Sequence, residues 1–127
     1  MKFTAICENH LYQKAYSKGK RAVTSALAVY ILPDYQAKRL ARAHPLHIVQ
    51  NRIGLTTGKA LGGAVVRNRC RRLMREALRQ IMKESPLNTG FLIVIAARHG
   101  MIGLKSPEVK DQLRYALKKL GIIKDKL

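Results

Sequence analysis

Ala64-Val65-Val66-Arg67-Asn68-Arg69-Cys70-Arg71-Arg72-Leu73-Met74-Arg75-Glu76, continued to Lys83 and followed by Phe91-Leu92-Ile93-Val94-Ile95-Ala96-Ala97, is the stretch that decides the fold. From Ala64 to Lys83 the apolar residues Val66, Cys70, Leu73, Met74, Ala77, Leu78, Ile81 and Met82 recur at steps of three and four, the period of an α-helix with one buried face. On a helical wheel Asn68, Arg71, Arg72, Arg75 and Arg79 take the opposite arc. Pro86, Asn88 and Gly90 interrupt this pattern. The run from Phe91 to Ala97 is short, continuously apolar and rich in β-branched residues, which reads as a strand buried on both faces.

Outward from that pair, a strand is expected upstream over His47 to Thr57, alternating at Arg52-Ile53-Gly54-Leu55, with Gly58, Gly62 and Gly63 forming a tight loop before the helix. Thr24 to Leu32, ended by Pro33-Asp34, reads as another strand. Tyr35 to Pro45, with Lys38, Arg39, Arg42 and His44, reads as a connection. Glu8 to Tyr16 reads as a short helix with Leu11, Tyr12, Ala15 and Tyr16 on one face, stopped by Ser17-Lys18-Gly19. Downstream, Arg98-His99-Gly100 forms a loop. Ser106 is placed as an N-cap with Pro107 at N1, ahead of a helix that buries Val109, Leu113, Ala116, Leu117 and Leu120 and stops at Gly121. The order α, β, β, α, β, α predicts an α+β fold, a two-layer α-β sandwich with a small mixed sheet and a βαβ crossover through the arginine-rich helix. Base rates favour a right-handed crossover. One domain over residues 1–127 is expected, with fraying ends near 1–7 and 121–127.

The chain sets 25 Lys and Arg against 7 Asp and Glu, a formal charge of +18, while 47% of its 127 residues are hydrophobic. It therefore has a core to fold around and a surface that repels itself unless an anion is near. A nucleic acid, an anionic membrane surface and an acidic protein all satisfy that charge. No stretch approaches the roughly 20 apolar residues of a membrane span, and Met1 to Cys7 is too short and mixed for a secretory h-region, so a cytoplasmic protein without a membrane partner is expected. In such a compartment Cys7 and Cys70 are expected to stay unpaired, with Cys70 used in packing. No Cys or His cluster has metal spacing, and His10, His44, His47 and His99 lack a nucleophile or paired carboxylate at a telling distance.

Arg67, Arg69, Arg71, Arg72 and Arg75 fall within nine positions and have only Glu76 beside them. Guanidinium forks match phosphate oxygens bidentately and also stack on bases, so this face reads as a nucleic-acid surface; the alternative is a merely solvated helix face. Asn68 suits a ribose, a phosphate, a base edge or a capping role. Lys59, in the loop Gly58-Lys59-Ala60-Leu61-Gly62-Gly63, stands at the helix N-terminus, where backbone N–H groups and the helix dipole favour an anion, although the glycines equally suit a tight turn. The loop lacks the spacing of a nucleotide-binding phosphate loop. Tyr12 and Tyr16, one turn apart, suit either stacking on single-stranded bases or the core, and Tyr30 is equally ambiguous.

The Arg-Asn-Arg helix closely resembles the signature of the protein subunit of bacterial ribonuclease P. The likeness extends through Arg52-Ile53-Gly54-Leu55, Gly58-Lys59, Tyr12 and Tyr16 followed by Gly19-Lys20-Arg21, and Ala97-Arg98, covering roughly residues 8–120. The resemblance implies a protein that assists a catalytic RNA in Mg²⁺-dependent removal of the 5′ leader from precursor tRNA. The RNA and substrate would hold most of the Mg²⁺, with no organic cofactor, and the protein would join as a monomer in a 1:1 ribonucleoprotein. It implies that Arg67, Asn68, Arg69, Arg71, Arg72 and Arg75 contact the catalytic RNA and that Tyr12 and Tyr16 contact the leader; beside them Lys59 is expected to bind RNA and Tyr30 to join the leader contacts. It also implies a left-handed crossover, against the base rate. Gly58-Lys59-Ala60 stands where the family commonly has Ser-Lys-Lys, so one basic contact is missing. A ribosomal or structural RNA-binding protein is the alternative reading; an autonomous nuclease would need clustered acidic metal ligands that the sequence lacks.

Overall fold

In the computed structural model, which describes residues 4–6, 9–43 and 51–123, the Phe91–Ala97 run forms the central strand of a five-stranded mixed sheet. The strands are β1 (Thr4–Ala5), β2 (Lys20–Val23), β3 (Leu27–Pro33), β4 (Arg52–Thr56) and β5 (Phe91–Ala97), and the helices are α1 (Asn9–Lys18), α2 (Ala37–Ala43), α3 (Ala64–Glu84) and α4 (Ser106–Lys119). The sheet order is β1-β4-β5-β3-β2. β5 pairs parallel with β4, through Ile53 opposite Ile93, and antiparallel with β3, through Val29 opposite Ile95. The parallel β4–β5 pair is connected through α3, as expected of a βαβ unit.

β5 is apolar on both faces because both are covered. Alternate residues Ile93 and Ile95, together with Ile53, Val29 and Ile31, meet Cys70, Met74, Ala77, Leu78 and Ile81 of α3 and Leu113 and Leu117 of α4. The other set, Leu92 and Val94 with Leu32, packs under Leu11 and Ala15 of α1 and beside Ile6. Burying each of the large side chains contributes about 1.5 to 3 kcal/mol, so α3, with Met74, Leu78 and Ile81 fully enclosed, is the element on which the larger core rests. Cys70 is a free, buried thiol, and burial pushes its pKa up, which suits packing rather than reactivity. Cys7 lies outside the described residues.

Several local expectations are corrected. The strand expected over 24–32 is present as β3 from Leu27, but it is the inner arm of a hairpin with β2, whose turn Thr24 and Leu27 close through Thr24 N–H to the Leu27 carbonyl at 2.8 Å and Leu27 N–H to Thr24 Oγ1 at 3.2 Å. Its outer arm, β2, carries exposed Lys20 and Arg21, charges typical of an edge strand that hide the apolar alternation. The connection expected over 35–45 contains α2, started by Asp34 Oδ1 accepting the Gln36 N–H at 3.1 Å; residues 44 and 45 lie outside the described residues. β4 begins at Arg52 rather than at His47, and residues 47–50 also lie outside them. β1 was not foreseen, since two residues carry no period. Ser106 does not cap α4, because its hydroxyl is buried without a partner, and the Lys105 carbonyl instead accepts from Glu108 and Val109. Gly121, with φ +74°, does end that helix in the left-handed conformation that glycine tolerates. Near the ends where fraying is expected, three apolar side chains are packed. Ile6, Ile122 and Ile123 are buried, and Asn88 N–H donates to the Ile122 carbonyl at 2.7 Å.

Among the described residues no helix is long and apolar enough to cross a membrane.

Candidate nucleic-acid interface

α3 starts without a side-chain cap: Gly63 precedes it in an extended conformation, and the Lys59–Leu61 turn leads in through Gly62 at φ +135°, a value that suits glycine. Leu61 is buried and pins the turn, while Lys59 is exposed beside the helix start, where the helix dipole favours an anion.

The arginines of α3 do not share one environment. Arg72 and Arg75 are exposed, as the wheel predicts. Arg71, expected on the same solvent arc, is half-buried: one terminal nitrogen donates to Thr57 Oγ1 at 2.9 Å and the other to Asn68 Oδ1 at 3.2 Å. The wheel misses this because it contains only the helix, and Thr57 arrives from the end of β4. Arg69 donates to the Leu104 carbonyl at 2.7 Å, fastening the helix to the loop before α4. Arg67 is half-buried, with its Nε enclosed and unpartnered. Glu76 is committed to Arg79, at 2.5 Å, and to Gln80, whose hydrogen bonds lower its pKa to about 2. Among the described residues no carboxylate pairs with Arg67, Arg69, Arg71, Arg72 or Arg75.

The tyrosines lie on the opposite side of the sheet from α3 and α4, on and beneath α1. Tyr12 covers Gly54 of β4, where a Cβ would collide with the hydroxyl end of the tyrosine ring, and its hydroxyl donates to the Ile6 carbonyl at 3.4 Å. Tyr16 is 40% exposed and donates to Thr56 Oγ1 at 3.3 Å. Its ring meets that of Tyr30 edge to face, with centroids 5.0 Å apart. Core and surface roles are thus combined: the three rings border the smaller apolar cluster, and Tyr16 remains open to solvent.

Two facts were missed from sequence. Register places Arg21 of β2 opposite Tyr30, on the same face as the rings. Consecutive residues Thr56 and Thr57 hold Tyr16 and Arg71, so the tyrosine cluster and the arginine helix meet at the end of β4. No local signal marks such a junction, because its partners lie 40 and 14 residues away in the chain. Beside it an open recess of about 680 Å³ is lined by Gly58, Ala60, Leu61, Arg98 and His99. Among the described residues no three His, Cys, Asp or Glu side chains converge as a metal site would require.

The family model described as Ribonuclease P matches residues 2–121. The chain is similar to the ribonuclease P protein component of Clostridium acetobutylicum, at 30% identity over 123 residues, covering 97% of this chain and 93% of that protein. It is also similar to that of Oceanobacillus iheyensis, at 31% over 120 residues, covering 94% and 88%. Among solved structures, the Staphylococcus aureus RNase P protein aligns with a TM-score of 0.71 at 23% identity, covering 97% of this chain and all (100%) of that one. The Thermotoga maritima protein aligns at 0.64 and 20% identity, covering 85% and 89%. Both have this fold.

Proposed function

The chain belongs to the ribonuclease P protein family, the protein components of a tRNA-processing ribonucleoprotein endoribonuclease, and from that premise we propose that it binds both the catalytic RNA and the 5′ leader of precursor tRNA. The observation that carries this reading is the Thr56–Thr57 junction, which joins a helix whose Arg67, Arg69, Arg71, Arg72 and Arg75 have no carboxylate partner among the described residues to a cluster of tyrosine rings. Arg72, Arg75 and Lys59 are exposed and take phosphates of the catalytic RNA, each contact releasing counterions, while Asn68, whose Oδ1 accepts from Arg71, adds a neutral contact through its amide N–H. Arg67 Nε, enclosed without a partner, loses that cost if its fork turns out to a phosphate. Arg69 and Arg71 hold α3 in place through Leu104 and Thr57 and add their charge to the surface.

In the cleft, Tyr16 offers ring surface to a leader base, Tyr30 fixes the Tyr16 ring, and Tyr12 forms the floor over Gly54. Arg21, on the same face, supplies a cation for the leader backbone. Mg²⁺, held mainly by the RNA subunit and the substrate, would supply an activated water and charge stabilisation for the leaving oxygen. The protein acts as a monomer in a 1:1 ribonucleoprotein in the cytoplasm.

The test is reconstitution with the catalytic RNA and Mg²⁺, comparing binding of precursor and mature tRNA. The holoenzyme is expected to prefer precursor, and Tyr16→Leu to reduce that preference roughly tenfold, within the range of one lost stacked base, without changing affinity for the catalytic RNA. Site-specific 5′ maturation by the protein alone, or equal loss for both substrates, would overturn the proposal.

A further inference from the structure

α2 lies at the far end of the sheet from the start of α3: it follows Pro33, which pairs with Phe91 where β5 begins, whereas α3 follows the end marked by Thr56 opposite Ala96. Asp34, just before it, is turned inward. Both of its oxygens accept from Arg52, at 2.7 and 2.9 Å, inside the protein. The next residue, Tyr35, is thrown outward and is 80% exposed, with Lys14 Nζ of α1 at 5.4 Å from the ring centroid. Lys38, Arg39 and Arg42 of α2 are exposed, and no carboxylate pairs with them among the described residues. From residue 9 to 43 the chain has seven Lys and Arg against the single buried Asp34.

We infer that Tyr35, Lys14 and the α2 cations Lys38, Arg39 and Arg42 form a second contact surface for single-stranded RNA, occupied by the part of the 5′ leader that extends beyond the tyrosine cleft. This inference rests on the proposed leader-binding function. An open ring among cations without a carboxylate partner among the described residues fits a strand whose bases are unstacked, the ring taking a base and the cations taking phosphates. Duplex RNA would leave the ring unused. The place in the fold selects the occupant: on α1, Lys14 lies about 200° round the helix from both Tyr12 and Tyr16, so the helix is a ridge between the two surfaces. Tyr35 is five residues from Tyr30, at most about 17 Å of extended chain, and α2 lies at the sheet end away from the start of α3, so a leader that leaves the catalytic RNA at α3 and passes the tyrosines reaches Tyr35 with its more 5′ nucleotides. The Tyr115–Lys119 pair on α4 differs: both members belong to one helix, with Asp111 a turn before Tyr115. It serves as a control.

The experiment measures holoenzyme affinity for two precursors, one with a leader that ends within the cleft and one extended by unstructured uridines. Wild type is expected to bind the extended precursor more tightly. Tyr35→Ala is expected to remove about tenfold of affinity for the extended precursor, the size of a lost base stack, and the triple change Lys38→Gln, Arg39→Gln, Arg42→Gln to remove a comparable, salt-dependent part through lost phosphate contacts, both sparing the short one. Tyr115→Ala is expected to change neither, and thermal melts should show all variants folded. No gain from extension in wild type, no effect of the variants, or equal loss for both precursors would overturn the inference, the last by placing this face on the catalytic RNA. If wild type also fails to prefer the short-leader precursor to mature tRNA, the leader-binding function itself falls; if that preference holds while extension adds nothing, only this second surface falls.

Discussion

Arg71 and Arg75 stand one turn apart on α3, yet they should answer the same substitution differently. Arg75 is exposed and unpaired among the described residues, so Arg75→Gln should change stability by less than about 0.5 kcal/mol. Arg71 is half-buried and donates to Thr57 and Asn68, so Arg71→Gln should cost about 1.5 to 2 kcal/mol, the lower part of the range for hydrogen bonds made by a charged group. Both should weaken binding to the catalytic RNA and lower the slope of log affinity against log salt by somewhat under about one unit per lost phosphate contact. Salt titrations with parallel melts separate the two effects. An unchanged salt slope in both variants would leave the face merely solvated.

α3 and α4 are joined by apolar packing and, at their rim, by Glu84, which accepts from Lys110 at 2.5 Å and also meets Arg114. The Lys110 hydrogen bond, aided by the two positive charges and opposed by desolvation, lowers the Glu84 pKa. A carboxyl with a depressed folded pKa stabilises the fold fully above its unfolded pKa, about 4.3, and loses that contribution as pH falls through the folded value. Glu84→Gln should therefore melt slightly below wild type at neutral pH, with the difference shrinking as pH drops below the carboxylate range. A difference independent of pH would show that packing of the side chain matters, rather than its charge. The apolar part of the same contact is worth far more: Leu78→Ala, at a fully buried position of α3, should cost about 2 to 5 kcal/mol.

Across the whole molecule, a charge of +18 on 127 residues means that the folded state repels itself and that a polyanion relieves the strain. A single-stranded oligoribonucleotide at about 100 times its dissociation constant should stabilise the protein by about 2.7 kcal/mol, an effect that should fade as salt is added. Melts with and without RNA at low and high salt measure it; a melting temperature indifferent to RNA at low salt would contradict the binding surfaces described above. The α3 helix and the β5 strand were legible from the residues alone, because helical period and a continuous apolar run are properties of sequence neighbours, and the clustered arginines announced an anionic partner by their chemistry. The hairpin around Thr24 and the α2 helix were not, since an edge strand carrying Lys20 and Arg21 lacks a clean alternation and α2 buries only Ala41 among its described side chains. Only the tertiary structure decided that Tyr12 covers Gly54, that Thr56 and Thr57 join the cleft to the arginine helix, and that Asp34 turns inward to Arg52 and leaves Tyr35 outside. Each of these depends on segments brought together by sheet register and core packing, and the period of a local sequence carries no record of which distant residue will arrive opposite it.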